Sequence, residues 1–93
     1  MKKFQQVGTK ELIDMLVQRN YWTRIHKDDL LSKEQARKPS TIIQGGTSVI
    51  ISYYDEHGKY LCTIHRVITT DGTIIHNHVK DAFIDGVWYK AKD

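Results

Sequence analysis

The dipeptide Asp71-Gly72, set between two β-branched runs in "HRVITTDGTIIHNH", constrains this chain more than any other feature. A two-residue hairpin turn needs left-handed backbone at its centre, which Asp-Gly tolerates, so the flanking runs are expected to pair as antiparallel strands. Closing the turn with Thr70 opposite Thr73 opposes residues whose numbers add to 143, which sets His65 against His78 and Val67 against His76. A four-residue loop, Thr69–Gly72, changes that number to 141 and sets His65 against His76. Both numbers are odd, so either register puts His65, His76 and His78 on one face. Only a three-residue loop or a bulge separates them.

The preceding hairpin yields to the same counting. A His57-Gly58 turn, or a four-residue Asp55–Gly58 loop, opposes residues adding to 115 or 113. Ile50, Ser52 and Tyr54 then share the histidine face with Leu61, Thr63 and Val67. Val49, Ile51, Tyr53, Tyr60, Cys62, Ile64, Ile68, Ile75 and Val79 fall on the other face, which is expected to be the core. Arg66 and Asn77 interrupt that apolar list as cross-strand neighbours and are expected at its rim.

Pro39 divides the chain. Before it, Thr9 is suited to cap a helix whose apolar residues Leu12, Ile13, Leu16 and Val17 recur at helical spacing, with Asn20 as its stop. A second helix is expected over Asp28–Lys38, because Ser32 and Gln35 match a capping box and Arg37-Lys38-Pro39 makes a stop. After Pro39 the expected strands are "STIIQ", "TSVIISYY", "KYLCTIHRVI", "TIIHNHV" and "VWYKA", with "KDAFIDG" interrupting the last two. The fold class expected is α+β: one domain over 1–93, in which two N-terminal helices within residues 1–38 cover one face of a four- to five-stranded antiparallel meander over 39–93.

Composition removes several classes of protein. No apolar run approaches the ~20 residues needed to cross a bilayer. "MKKFQQVGTKEL" lacks the apolar region of a secretory signal, so a cytoplasmic location without membrane partners is expected. Cys62 is the single cysteine, which excludes an intramolecular disulfide and a cysteine-rich zinc site. It also falls on the core face, against a Cys–His nucleophile. Of the net charge of +3, residues 1–38 carry nine Lys/Arg against five Asp/Glu, and residues 39–93 five against six. That imbalance is compatible with a polyanionic partner and equally with solvated helices.

Three imidazoles on one face near Lys80, Ser52, Thr63 and Tyr54 suit metal-independent RNA cleavage. One imidazole takes the 2′-OH proton, another protonates the leaving 5′-oxygen, and a cation stabilises the phosphorane. Neighbouring imidazoles disfavour double protonation, which divides the base from the acid. The candidate catalytic residues are His65, His76, His78 and Lys80; Ser52, Tyr54 and Thr63 are candidate substrate contacts; no cofactor is required. The same His65, His76 and His78 also have the reach to hold a zinc, nickel or iron ion. His76 and His78 also fit plain polar alternation on a solvated face. Ahead of the metal site, the alternative to the ribonuclease is a non-enzymatic binding protein, such as a phage-encoded or antitoxin-like inhibitor, whose polar sheet face or edge docks a macromolecule. RNA or a protein is then the partner, and a free sheet edge is open to a second copy of the chain.

"GTKELIDMLVQRNYW", residues 8–22, resembles the opening helix of HicA-type mRNA-interferase toxins. Those toxins place a catalytic histidine in a strand soon after that helix, whereas residues 23–40 here hold no Gly-Ser-His motif. The expected architecture also resembles the small ribonuclease toxins of the barnase, colicin and RelE type, whose helices back a meander bearing the site on its open face. That likeness is one of architecture.

Overall fold

A computed structural model describes residues 3–92; the outermost residues of the expected domain span, 1–2 and 93, lie outside the described residues. The chain is α+β. Strand β1 (Phe4–Gly8) leads into helix α1 (Thr9–Gln18) and the short helix α2 (Tyr21–His26), followed by β2 (Leu31–Pro39), β3 (Thr47–Tyr54), β4 (Tyr60–Ile68), β5 (Ile74–Ile84) and β6 (Val87–Lys92). The strands form one six-stranded sheet in the order β1-β6-β5-β4-β3-β2. The β1–β6 pair is parallel and the rest antiparallel. The expectation of four or five antiparallel strands is therefore corrected to six in a mixed sheet.

Helix α1 forms as its spacing requires. Leu12 and Leu16 are fully buried, Ile13 packs beside them, and Asn20 ends the segment in the left-handed region at φ 63°. Val17, placed by spacing on the same face, is 52% exposed. Leu12, Leu16, Ile25 and Leu30 cover one sheet face, where Tyr53, Leu61, Cys62, Ile64, Val79, Ala82 and Ile84 complete the core. Arg19 forks onto Asp85 at 2.5 and 2.9 Å, fastening the end of α1 to the β5–β6 turn. Arg24 reaches Glu56 in the β3–β4 turn at 3.1 Å, fastening α2.

The second helix expected over Asp28–Lys38 is a strand instead. Ser32 pairs with Tyr53 and Lys33 with Ser52, so the supposed capping box lies along β2. Pairing with β3 overrides a weak local helix preference. As an edge strand, β2 is blunted by Lys33, Arg37, Lys38 and Pro39 and by a bulge between Glu34 and Ala36. "STIIQ" is a loop, and its Ser40 Oγ accepts from Ile42 N and Ile43 N at 3.0 and 3.3 Å. "KDAFIDG" does not interrupt β5, which continues through Ile84 to a turn at Asp85-Gly86.

Both central hairpins close with three-residue loops. Asp55 N donates to Lys59 O at 2.9 Å, and Thr69 N donates to Thr73 O at 2.8 Å. Each loop taken alone would shift the pairing by one, and a bulge in each hairpin restores it. The register slips between Tyr53 and Tyr54, where Leu61 is the extra residue, and between Val67 and Ile68, where Ile75 is extra. Beyond those bulges opposed residues add to 115 along β3–β4 and to 143 from Val67 to Ile64 along β4–β5, with His65 opposite both Ile50 and His78. A second bulge in β5, between Val79 and Asp81, then raises the number to 144. The Leu61 bulge sends Leu61 into the core and turns Tyr60 out to the open face, reversing both assignments made by simple alternation. Ile75, the extra residue where β5 leaves its loop, is 48% exposed rather than core.

Truncating one methyl-bearing residue on each side of α1 tests this packing. Leu16→Ala should cost about 2–5 kcal/mol in urea unfolding, and Val17→Ala should stay within about 0.5 kcal/mol. Equal losses would place the buried face of α1 elsewhere.

Candidate functional site

The open sheet face carries two groups of polar and aromatic side chains. At one end, β4 supplies His65 and β5 supplies His76 and His78. Their rings meet edge to face, with centroids 5.3 Å (His65–His76), 5.2 Å (His65–His78) and 4.5 Å (His76–His78) apart. His78 Nδ1 lies 2.5 Å from His76 Nε2, so one ring must donate a proton that the other accepts. One nitrogen from each of the three rings lies within 4.8 Å of the other two. The convergence expected from strand register is present in the structure.

His65 Nε2 and Ser48 Oγ share a hydrogen bond of 2.6 Å. Both line a cavity of about 410 Å³ walled by Lys38 and Pro39 at the end of β2, by the 40–42 loop, and by Val67 and Lys80. Among the described residues, no Asp or Glu lines it. Val67 is fully buried although it stands on the open face, because this end of the sheet is roofed by the loop. Burial lowers the His65 pKa from its ordinary value, and His76, Lys80 and Lys38 lower it further through like-charge repulsion. Lys80 lies where the sequence expects it, beside His65 in the cavity wall. Ser48 and Lys38 are additions. Ser48 was legible, because it stands opposite Val67 in the expected register and so lies diagonal to His65. Lys38 was not, because its segment reads as helix.

The expected substrate contacts Ser52, Thr63 and Tyr54 do not join the imidazoles. Ser52 and Thr63 belong to a chain of hydroxyls that ends on Asp81. Tyr60 donates to the Asp81 carboxylate, so Thr63 Oγ1 must donate to Tyr60 Oη at 2.5 Å. Ser52 Oγ in turn donates to Thr63 Oγ1 at 3.0 Å. Burial, followed by the bond to Asp81, pushes the Tyr60 pKa well above its ordinary value. Tyr54 packs edge to face on Tyr60 at 6.0 Å, and Tyr60 stacks on Trp88 at 5.5 Å. Trp88 therefore belongs to the open face.

Two other assignments hold on the covered side. Arg66 Nε donates to Asn77 Oδ1 at 3.1 Å beneath α2, whose His26 meets Asn77 at 2.7 Å. Cys62 is buried, and burial pushes its thiol up to about 12, which leaves it inert as a nucleophile.

Set against protein-family models, curated proteins and solved structures, the chain matches none of them.

The His65 environment makes stability depend on pH. A histidine whose folded pKa is depressed favours the fold above its unfolded value of about 6.5, and that contribution is lost as pH falls through the folded value. Urea midpoints should therefore drop from pH 7.5 toward pH 5, and His65→Asn should flatten that drop. An unchanged slope in the variant would place the proton uptake on other groups.

Proposed function

We propose that the protein acts on RNA, cleaving its phosphodiester backbone without a metal ion at the His65 cavity. The observation that carries this reading is a cavity that combines His65, Ser48, Lys38 and Lys80, with no carboxylate among the described residues of its lining, beside the His76–His78 pair. Such a lining attracts a phosphate, and its lowered pKa keeps His65 unprotonated near neutral pH, ready to accept a proton.

In this reading His65 takes the proton of a ribose 2′-OH, whose oxygen attacks the adjacent phosphorus. The P–O5′ bond breaks, and the proton held by the His76–His78 pair passes to the leaving 5′-oxygen. The products are a 2′,3′-cyclic phosphate and a 5′-hydroxyl. Lys38 and Lys80 stabilise the charge that builds on the phosphoryl oxygens.

The three nitrogens within 4.8 Å of one another favour a second reading, a three-imidazole metal centre. His65, His76 and His78 would hold the ion, and a divalent metal such as zinc, which imidazole suits, would supply a Lewis acid there. One assay separates the two readings. Purified protein should cleave total RNA equally with and without chelator, and His65→Ala or His78→Ala should slow cleavage by about 10²–10⁴-fold. Chelator-sensitive cleavage would transfer the site to the metal reading. RNA left intact under every condition would overturn the nuclease.

A further inference from the structure

The other end of the open face holds a second pocket that the imidazole site does not use. Five side chains line its 350 Å³: Phe4 from β1, Tyr54 from β3, Tyr60 from β4, Asp81 from β5 and Trp88 from β6. Four of the five are aromatic and the fifth is a carboxylate. We propose that this pocket binds a methylated ammonium group, in a free quaternary amine or on a methylated lysine side chain.

The walls have the form that such a group requires. Phe4 meets Trp88 at 5.7 Å with its ring inclined 66°, and Tyr54 meets Tyr60 at 6.0 Å inclined 77°, so ring faces and edges turn around a common space. Tyr60 and Trp88 stack nearly parallel, and Phe83 packs on Trp88 at 4.7 Å, which stiffens the wall. Aromatic faces carry negative electrostatic potential, and a methylated ammonium spreads its positive charge over methyl groups that pack against them without strong hydration to lose.

Asp81 decides the sign of the ligand. Its carboxylate takes one hydrogen bond from Tyr60 and retains acceptor capacity, since a carboxylate offers about four lone-pair sites. Lys90 is its cross-strand partner, yet the ion pairs among the described residues are Arg19–Asp85, Arg24–Asp29, Arg24–Glu56 and Arg37–Glu34. The Asp81 charge thus remains to be matched. A nucleotide could stack on the same rings, but its phosphate would meet this carboxylate. The preference for a cation follows from charge, and it stands whether or not the histidines cleave RNA.

Tryptophan fluorescence of the full chain, titrated with choline and with Nε-trimethyl-lysine against sodium chloride at matched ionic strength, tests the proposal. Saturable quenching by either cation is expected, and comparing the two separates a free amine from a lysine-borne one. The neutral isostere 3,3-dimethylbutanol should bind about tenfold more weakly than choline. Asp81→Asn, which keeps the acceptor for Tyr60, should weaken the cations by a similar factor while circular dichroism and the melting temperature stay near those of the parent. Tyr54→Leu, at the rim, should weaken them without depending on that hydrogen bond. No saturable change up to about 100 mM would overturn the proposal. So would equal binding of the neutral isostere, cation binding unchanged in Asp81→Asn, or adenosine monophosphate binding in preference to both cations.

Discussion

One extra residue in β5 arranges the whole open face. Cross-strand pairing slips between Thr63 and Ile64, where Thr63 opposes Asp81 and Ile64 opposes Val79, leaving Lys80 as the inserted residue. A strand without this bulge would alternate strictly, sending Ala82 and Ile84 to the histidine side and Asp81 and Phe83 into the core. With it, Val79, Ala82 and Ile84 are all buried beneath the helices, while His76, His78, Lys80 and Asp81 share the open side. Burying an unpaired carboxylate costs several kcal/mol, so the bulge is coupled to the stability of the core as well as to the face it exposes.

The same bulge sets opposite charges next to each other and aims them at different places. Lys80 lines the cavity with His65, Ser48 and Lys38, where its charge disfavours protonation of the imidazole. Asp81 accepts from Tyr60 and closes the aromatic pocket beside Trp88. A sheet face little longer than a few side chains is thereby split into a cationic half and an acidic, aromatic half. The hydroxyl chain Ser52–Thr63–Tyr60 ends on the acid. Two chemically distinct sites on one small face need such a boundary, because opposite charges left side by side in the open would pair with each other.

Much of this was legible in the chain, and what was not has physical reasons. Helix α1, the strands β3, β4 and β6, and the convergence of His65, His76 and His78 follow from periodicity and turn chemistry. The register came out as expected although the loops did not, because in each hairpin a three-residue loop and a bulge cancel. The Lys80 bulge left a trace that strict alternation discards: Val79 and Ala82 are three residues apart, so a continuous strand with one inserted residue looked like an interruption. Strand β1 left none. Its five residues pair in parallel with β6 at the far end of the chain, a partnership that no local pattern encodes.

The segment misread as a helix matters most to the site. The end of β2 and the loop after it form the wall of the cavity opposite Val67, and the loop is held by Ser40 Oγ and by close packing at Gly46, where a Cβ would stand 2.5 Å from Ile43 Cγ2 and 3.0 Å from the Ile68 carbonyl. Burial is the largest cause of the lowered His65 pKa. Without that wall His65 would lose the largest cause of its shift. What distinguishes His65 is a wall built by an exposed, highly charged edge strand that contributes Lys38 to the lining. The chemistry of the cluster therefore depends on a strand with little core of its own, held in place by its pairing with β3.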